Sequence, residues 1–302
     1  MQIRRAEELG MCFGVRDALT TIQSIATPHE VTIHGELVHN GEVLADLDRR
    51  GFHRSPEHAR PVPSTPWVLV TAHGISEAER ARLQGAGKQL VDTTCPLVRR
   101  AHAAAQELAA EGRRVIVLGK RDHVEVRGIV EDLDRAIVVG TLADVVTWPE
   151  PRLGIVSQTT TETSAAEQLV AAIRAHNPHA CVRWLDTICS PTRQRIAALQ
   201  ALLPQIDALV VVGGRDSNNT RQLAQWALQA GIPTVHVERA GELDAAWFAG
   251  RRCVGLTAGT STLATTVDAV DARLREIAAQ ATSDCGIAAQ RGTPGGTPAP
   301  CG

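Results

Sequence analysis

Three cysteines recur along the chain in similar local settings, each directly before a helical pattern. Cys95 lies in VDTTCPLVRR, Cys189 lies in the near-copy LDTIC, and the segment around Cys12 matches them less closely. They are 83 and 94 residues apart, so none belongs to a short CxxC pair of the kind that builds structural zinc sites. We expect lowered pKa values for these thiols, because a helix N-terminus favours the thiolate.

Thiolates are the usual ligands of iron–sulfur clusters, and a cubane cluster normally takes four of them. With three cysteines, one iron is left open to bind a substrate as a Lewis acid or to pass electrons to it. The pattern therefore predicts a cluster that acts on a substrate. Cys181 and Cys253 lie in apolar, strand-like stretches, and we expect both to be inert core residues.

Polar loops follow the strand-like stretches; the first set lies at nearly constant distances of 27, 28 and 28 residues from these cysteines, and the second set at looser distances of 61, 64 and 72. After the first stretch of each unit come GELVHN, GKRDHVE and GGRDSNN, and the second stretches run WVLVTAHG, RLGIVSQTT and RCVGLTAGTS. Donors beside strand-to-helix turns favour phosphate or diphosphate binding; the candidates here are His39, His73, His123, Thr159, Ser217, Asn218, Asn219 and Ser261. Glu125, two residues after His123, is the candidate proton donor.

The repeated order of cysteine, helix and strand predicts an α/β fold of three units related by a pseudo-threefold axis. Each unit is expected to hold a small, mostly parallel sheet, so that the cysteines and polar loops converge on one central cavity. The expected units are residues 13–94, 95–187 and 188–278, with segment 1–12 packing on the third. The Gly/Pro/Thr-rich C-terminus predicts a disordered tail over 279–302, which contains Cys285 and Cys301.

Composition narrows the choice of partners and compartment. The chain has 302 residues, of which 44% are hydrophobic and 21% charged, and a net charge of −2. That charge gives no reason to expect nucleic acid or a membrane as partner. The N-terminus lacks the apolar run of a signal peptide, and no stretch approaches the roughly 20 apolar residues of a membrane span. We therefore expect a cytoplasmic protein, in which a disulfide framework is not favoured.

The motifs resemble those of the LytB/IspH family of 4-hydroxy-3-methylbut-2-enyl diphosphate reductases. They occur in family order across residues 1 to about 278. The matching segments are MCFGV (11–15), LVHN (37–40), TAHG (71–74), DTTCPLV (92–98), HVEVRG (123–128), SQTT (157–160), DTIC (186–189), VVGGRDSNN (211–219) and TAGTS (257–261). Each motif alone is weak, but their joint occurrence is highly specific.

The resemblance implies a trefoil of three α/β units around a [4Fe-4S] cluster. Cys12, Cys95 and Cys189 carry over as its ligands, and the fourth iron as the binding point of the substrate hydroxyl. His39, His73 and His123 carry over as contacts near the substrate, chiefly to its diphosphate. Further diphosphate contacts are Ser217, Asn218, Asn219 and Ser261. Thr159 carries over as part of the hydroxyl-proton relay. Glu125 carries over as the proton donor.

The activity implied by the resemblance is a reductive dehydroxylation, the last step of the methylerythritol phosphate route to isoprenoids. Its products are isopentenyl and dimethylallyl diphosphates, and its electrons come from ferredoxin, from flavodoxin or directly from a reductase partner. Three departures from the family pattern leave room for a divergent paralogue with another allylic substrate: Val124 replaces a proline, Asn218 replaces a serine, and SPTRQR (190–195) replaces ATxxRQ. Parts of the same residue set would also suit a non-catalytic iron–sulfur sensor or a zinc hydrolase with Glu125 as its base.

Overall fold

The computed structural model describes residues 1–38, 40–57 and 59–290, and within them the strands form three four-stranded sheets. The first sheet has the strand order β3-β2-β4-β5, the second β7-β6-β8-β9 and the third β1-β12-β10-β11. The strands are β1 (Gln2–Arg5), β2 (Val31–Ile33), β3 (His53–Arg54), β4 (Trp67–Val70), β5 (Gln89–Asp92), β6 (Arg114–Leu118), β7 (Ile137–Val139), β8 (Arg152–Ser157), β9 (Cys181–Trp184), β10 (Ala208–Val212), β11 (Thr234–Val237) and β12 (Cys253–Ala258).

Helices connect the strands and cover the sheets. They are α1 (Phe13–Gln23), α2 (Gly41–Arg49), α3 (Glu77–Gly85), α4 (Pro96–Ala110), α5 (Val124–Glu131), α6 (Thr163–His176), α7 (Ser190–Leu202), α8 (Asn218–Gln229) and α9 (Ala264–Gln290). Short 3₁₀ turns span Pro28–Glu30, Leu142–Asp144, Leu203–Gln205, Ala240–Glu242 and Ala245–Phe248. Among the described residues, no helix is both long and apolar enough to cross a membrane.

Every strand pairing in the three sheets is parallel. Parallel sheets need crossover helices, and these helices bury both faces of the sheet. The third sheet shows the result in β10, whose five residues ALVVV are all buried. Val210 belongs to the core shared with Leu274 of α9, whereas Val211 belongs to the core shared with Leu223 of α8. Continuous apolar runs in the sequence are thus explained by two-sided burial.

The three sheets repeat one arrangement, which confirms the predicted α/β fold with small parallel sheets. In each sheet, the first strand after the cysteine and its helix (β2, β6 or β10) lies beside one edge strand. The strand at the opposite edge (β5, β9 or β1) leads to the next cysteine. The third sheet completes its set with β1, which pairs with β12 in the register Gln2 to Cys253. Segment 1–12 therefore contributes a strand to the sheet of the third unit, while the exact limits of the three units stay a prediction.

The C-terminal helix α9 continues to Gln290, and the Gly/Pro-rich composition begins only after it. The disordered tail expected over residues 279–302 stays a prediction. Residues 291–302, including Cys301, lie outside the described residues.

Candidate active site

Each of the three predicted cysteines is the residue immediately before a helix. Cys12 precedes α1, Cys95 precedes α4 and Cys189 precedes α7. Prolines in the first turns of α4 and α7 fit these helix starts. The cysteine amides also donate equivalent hydrogen bonds to the loop after the third strand in each sheet: Cys95 to Ala72 O (3.0 Å), Cys189 to Thr159 O (2.9 Å) and Cys12 to Thr260 O (3.0 Å).

One cavity at the centre of the three units is lined by the predicted site residues. Those on its wall are Cys12, His73, Cys95, His123, Glu125, Thr159, Cys189, Ser217, Asn218, Asn219 and Ser261. His39, the remaining candidate, lies outside the described residues. The convergence follows from the parallel sheets, because their carboxyl ends present all of these loops toward the same centre.

The thiols differ from the sequence expectation in their ionisation. Burial raises the pKa of Cys95 and of Cys189, and the hydrogen bonds from the first helical turn only partly oppose it. Cys189 is 9% exposed, so the loss of hydration outweighs the effect of the helix N-terminus. The prediction of lowered thiol pKa values was therefore wrong for these two cysteines in the protein alone.

Glu125 is a buried carboxyl group held by a single neighbour. It is 1% exposed, and its Oε1 accepts the backbone N–H of Thr159 at 2.6 Å while its Oε2 accepts the Thr159 hydroxyl at 2.9 Å. Burial raises the pKa of Glu125 to about 7, although both hydrogen bonds from Thr159 act in the opposite direction. A carboxyl group with this pKa is partly protonated near neutrality, as a proton donor requires.

Two histidines line the same cavity as this carboxyl group. His123 caps α5, and its Nδ1 accepts the backbone N–H of Glu125 at 3.2 Å. When the ring is neutral its proton is therefore on Nε2, which is a hydrogen-bond donor. The ring of His73 meets that of His123 edge to face, with the centroids 5.6 Å apart. Val124, which replaces the family's proline, is the buried first residue of α5, so the histidine cap still fixes the loop that carries Glu125.

The start of α8 supplies neutral donors to the cavity. Ser217 caps the helix, and its hydroxyl accepts the Thr220 amide at 3.4 Å. Asn219 is 2% exposed; its Oδ1 accepts the Thr260 N–H, while its Nδ2 has no hydrogen-bond partner within the described part of the chain. An unsatisfied buried amide is costly. Its donor is therefore available to an anionic ligand at the helix N-terminus.

Two residues that were not predicted from the sequence form hydrogen bonds to residues of the cavity wall. Asn40 caps α2 through its Oδ1, and its Nδ2 donates to Ser261 O at 2.7 Å, joining the loops of two sheets. The N-G-E-V pattern after LVH could have identified this cap. The hydroxyl of Thr192 lies 3.1 Å from the sulfur of Cys189, and its position three residues after the cysteine, one helical turn on, was the available signal.

The remaining cysteines and one histidine complete the comparison with the sequence. Cys181 is exposed, so its prediction as a core residue was wrong; it is the first residue of the edge strand β9, where the strand surface is open. Cys253 is partly buried against a hydrophobic core cluster. His34 is fully buried, and its Nε2 lies 2.8 Å from Glu79 Oε1.

The three cysteines fit an iron–sulfur cluster by donor chemistry and by the space around them. All are free thiols on the wall of one cavity. A Cβ atom at Gly14 would lie 2.5 Å from Cys95 Sγ, so glycine leaves room for the sulfur beside α1. Within the described residues no three His, Cys, Asp or Glu side chains form a group that could hold a single metal ion. The three thiols line the cavity at three helix starts, and such a donor set would fit an iron–sulfur cluster.

Three parallel sheets around a central thiol-lined cavity define a trefoil α/β protein. A family model described as LytB protein matches residues 3–275, and the chain belongs to this family. A protein of Anaeromyxobacter sp. (strain K) named 4-hydroxy-3-methylbut-2-enyl diphosphate reductase is 34% identical over 280 residues, which cover 92% of this chain and 100% of that protein. A protein of the same name from Nitratidesulfovibrio vulgaris is 35% identical over 283 residues, with 92% and 100% coverage.

Solved structures agree with this assignment. A structure described as that of (E)-4-hydroxy-3-methyl-but-2-enyl diphosphate reductase, the terminal enzyme of the non-mevalonate pathway, is similar with a TM-score of 0.65 and 30% identity. The match covers 91% of this chain and 100% of that one. The E-1-hydroxy-2-methyl-but-2-enyl-4-diphosphate reductase of Plasmodium falciparum is similar with a TM-score of 0.81 and 25% identity, over 88% and 86% of the two chains.

Proposed function

We propose that this protein reduces (E)-4-hydroxy-3-methylbut-2-enyl diphosphate to isopentenyl and dimethylallyl diphosphates. In this reaction the allylic C–O bond breaks, two electrons and two protons are consumed, and the hydroxyl group leaves as water. One observation carries the proposal: a single cavity is lined by three thiols, a buried carboxyl group and a buried amide donor without a partner among the described residues. The family and the named relatives support the same substrate class.

The proposed diphosphate site is formed by the donors around the start of α8. Ser217, Asn218 and Asn219 lie at that helix N-terminus, whose free N–H groups and dipole favour an anion. Ser261 and the histidines His39, His73 and His123 complete the proposed set. Asn218 stands where the family commonly has serine, and its Nδ2 is a donor 3.4 Å from Thr160 Oγ1, so we expect retained diphosphate binding.

The proposed cofactor is one [4Fe-4S] cluster per chain, held by Cys12, Cys95 and Cys189. When bound, it would supply electrons and an open iron with affinity for the substrate hydroxyl. Each cysteine lies between the edge strand of one sheet and the helix that begins the next unit, so the cofactor site would be complete only when all three units are in place. The hydroxyl of Thr192 adds a hydrogen-bonding contact to the Cys189 sulfur, a neighbour of the kind that adjusts ligand charge.

Protons reach the substrate, in this proposal, from Glu125 through Thr159. The hydroxyl of Thr159 lies 2.9 Å from Glu125 Oε2 and on the wall of the same cavity. A hydroxyl can accept one proton while it gives another, so Thr159 can relay a proton from the buried carboxyl group. Because Glu125 is shielded from water, its proton is available to the substrate rather than to the solvent.

The proposed reaction needs an external electron donor. Two electrons per turnover must come from outside this chain, and a ferredoxin or a flavodoxin in the cytoplasm is the proposed source. Of the three departures, only Asn218 and Pro191 of the SPTRQR segment line the cavity, and Asn218 keeps a side-chain donor there; this supports the named substrate over another allylic compound.

Anaerobic reconstitution with iron and sulfide, followed by a turnover assay, tests the proposed function. We expect a brown protein with about four irons per chain. It should oxidise reduced viologen only when the allylic diphosphate is added, and release the two isomeric products. A protein that stays colourless and iron-free after reconstitution would overturn the proposal. A brown protein without substrate-dependent oxidation would instead favour a non-catalytic iron–sulfur sensor.

A further inference from the structure

Arg195 of α7 is a buried arginine close to two of the three cysteines. It is 3% exposed. Its Nε donates to Gly10 O at 3.1 Å, its Nη2 donates to the same oxygen, and its Nη1 donates to Pro191 O at 3.0 Å. Gly10 is two residues before Cys12 and Pro191 is two residues after Cys189. One guanidinium group therefore joins the two cysteine-bearing segments.

This cation lacks a carboxylate partner in the described part of the chain, where none forms an ion pair with it within 4.0 Å. A buried charge without a counter-charge is costly, and carbonyl groups offset only part of that cost. Burial lowers the pKa of Arg195, whereas negative charge at Cys12, the exposed Glu8 and Cys189 raises it. Apart from Glu8, the acidic groups that act on this guanidinium are thus the thiols of Cys12 and Cys189, which would carry negative charge as ligands of the proposed cofactor.

Arg193, two residues earlier on the same helix, provides the contrast. Its side chain is 36% exposed and forms an ion pair with Asp186. It carries the same charge on the same helical turn, but solvent and a carboxylate screen that charge. A comparison of the two arginines therefore separates the effect of a buried cation from that of a surface one.

We propose that Arg195 is the buried counter-charge of the cofactor held by Cys12, Cys95 and Cys189, and that it raises the reduction potential of that cofactor. The inference rests on the proposed function. Each electron that enters adds one negative charge, and a fixed cation in a medium of low dielectric stabilises the reduced form more than the oxidised form. The same guanidinium group holds the Cys12 segment against α7.

The effect of Arg195 on the reduction potential is tested with three reconstituted variants in an EPR-monitored potential titration. Arg195→Met removes the charge at similar length, Arg195→Lys keeps the charge without the planar group of donors, and Arg193→Gln is the matched surface control. We expect a more negative midpoint potential for Arg195→Met, and potentials close to that of the wild type for the other two. An unchanged potential in Arg195→Met, or an equal fall in Arg193→Gln, overturns the inference.

The role of Arg195 in holding the Cys12 segment against α7 is tested in iron-free protein, so that the result does not depend on the cofactor. Hydrogen exchange of the amides of residues 8–14 should be at least tenfold faster in Arg195→Met, and unchanged in Arg193→Gln. Equal exchange in the wild type and Arg195→Met overturns the bridging role. If Arg195→Met does not fold, Arg195→Lys carries the test: a wild-type potential with faster exchange supports the inference, and a lowered potential overturns it.

Two different results distinguish a failure of the proposed function from a failure of the role of Arg195. Wild-type protein that takes up no iron and sulfide contradicts the cofactor itself, whatever the exchange measurements show. Wild-type protein that takes up the cluster and turns over substrate, with Arg195→Met at the same potential, contradicts only the role of Arg195.

Discussion

Thr159 links the carboxyl group of Glu125 to the backbone of Cys189. Its N–H and hydroxyl donate to the two oxygens of Glu125, and its own carbonyl oxygen accepts the Cys189 amide at 2.9 Å. The candidate proton donor and one candidate ligand are thus held by a single residue at the end of β8. Movement of the Thr159 loop would displace both groups together, which makes this contact the natural starting point for mutagenesis.

Replacing Glu125 by glutamine should remove the acid while preserving the contacts. Glutamine can accept the Thr159 N–H and donate to its hydroxyl, so we expect normal iron content and a fall in kcat of about 10²-fold or more. Steady-state viologen oxidation with the allylic diphosphate measures the effect. Asp122→Asn, an exposed acid of the same loop, is the control and should turn over normally. Full activity in Glu125→Gln would remove Glu125 from the proposed mechanism.

The pKa of Glu125 predicts a pH dependence of stability in iron-free protein. The folded carboxyl group titrates near 7, raised from an ordinary value of 4.5. Between these values the native state binds more protons than the unfolded state, so the free energy of unfolding falls as the pH rises. Relative to Glu125→Gln, the wild type should lose on the order of 2–3 kcal/mol from pH 4.5 to pH 8. Urea unfolding at several pH values measures it, and a constant difference would contradict the shift.

Gly14→Ala should prevent binding of the cofactor without unfolding the protein. The added Cβ would lie 2.5 Å from Cys95 Sγ, so the thiol must move away from its place in the cavity. Alanine otherwise favours a helix over glycine by about 1 kcal/mol, so loss of iron would not reflect a weakened α1. Gly85→Ala, at a position where an added Cβ meets nothing within 4 Å, is the control. Iron and sulfide analysis should show a large loss only in Gly14→Ala.

Asn219→Asp should weaken substrate binding selectively. Aspartate can keep the acceptor for the Thr260 N–H, but it replaces the buried Nδ2 donor with a negative charge facing the proposed diphosphate. We expect KM to rise about 100-fold or more, since a charge-assisted donor is lost and a repulsion is added. Gln225→Glu adds the same charge on the exposed part of α8 and should leave KM nearly unchanged. Equal KM values for Asn219→Asp and the wild type would exclude Asn219 from the binding site.

The sequence predicted the residues whose positions follow from the repeat. Parallel sheets fix the direction of every loop, so similar offsets from Cys12, Cys95 and Cys189 were enough to predict that the loops meet. Long-range contacts that are not repeated in the three units could not be predicted from the sequence. Asn40 meets Ser261 across 221 residues, and Arg195 meets Gly10 across 185; neither pairing leaves a periodic signal.

Ionisation was the other property that the sequence could not provide. The helix N-terminus at Cys189 is a local feature and was predicted, but the burial that raises its pKa comes from packing of all three units. The same packing buries Glu125 and raises its pKa above that of an exposed carboxyl group. Local rules therefore identified the groups, and tertiary packing determined their charge.

The pairing of β1 with β12 has a consequence for biosynthesis. Gln2 aligns with Cys253 and Arg5 with Leu256, so the strand that leads to Cys12 gains its partner only after more than 250 residues have been synthesised. On the ribosome the sheets containing β2 to β9 can form early, whereas β1 and the hydrogen bond from the Cys12 amide to Thr260 must wait until β12 has emerged. The three-thiol site is therefore assembled at the last stage of folding, after the complete third sheet has formed.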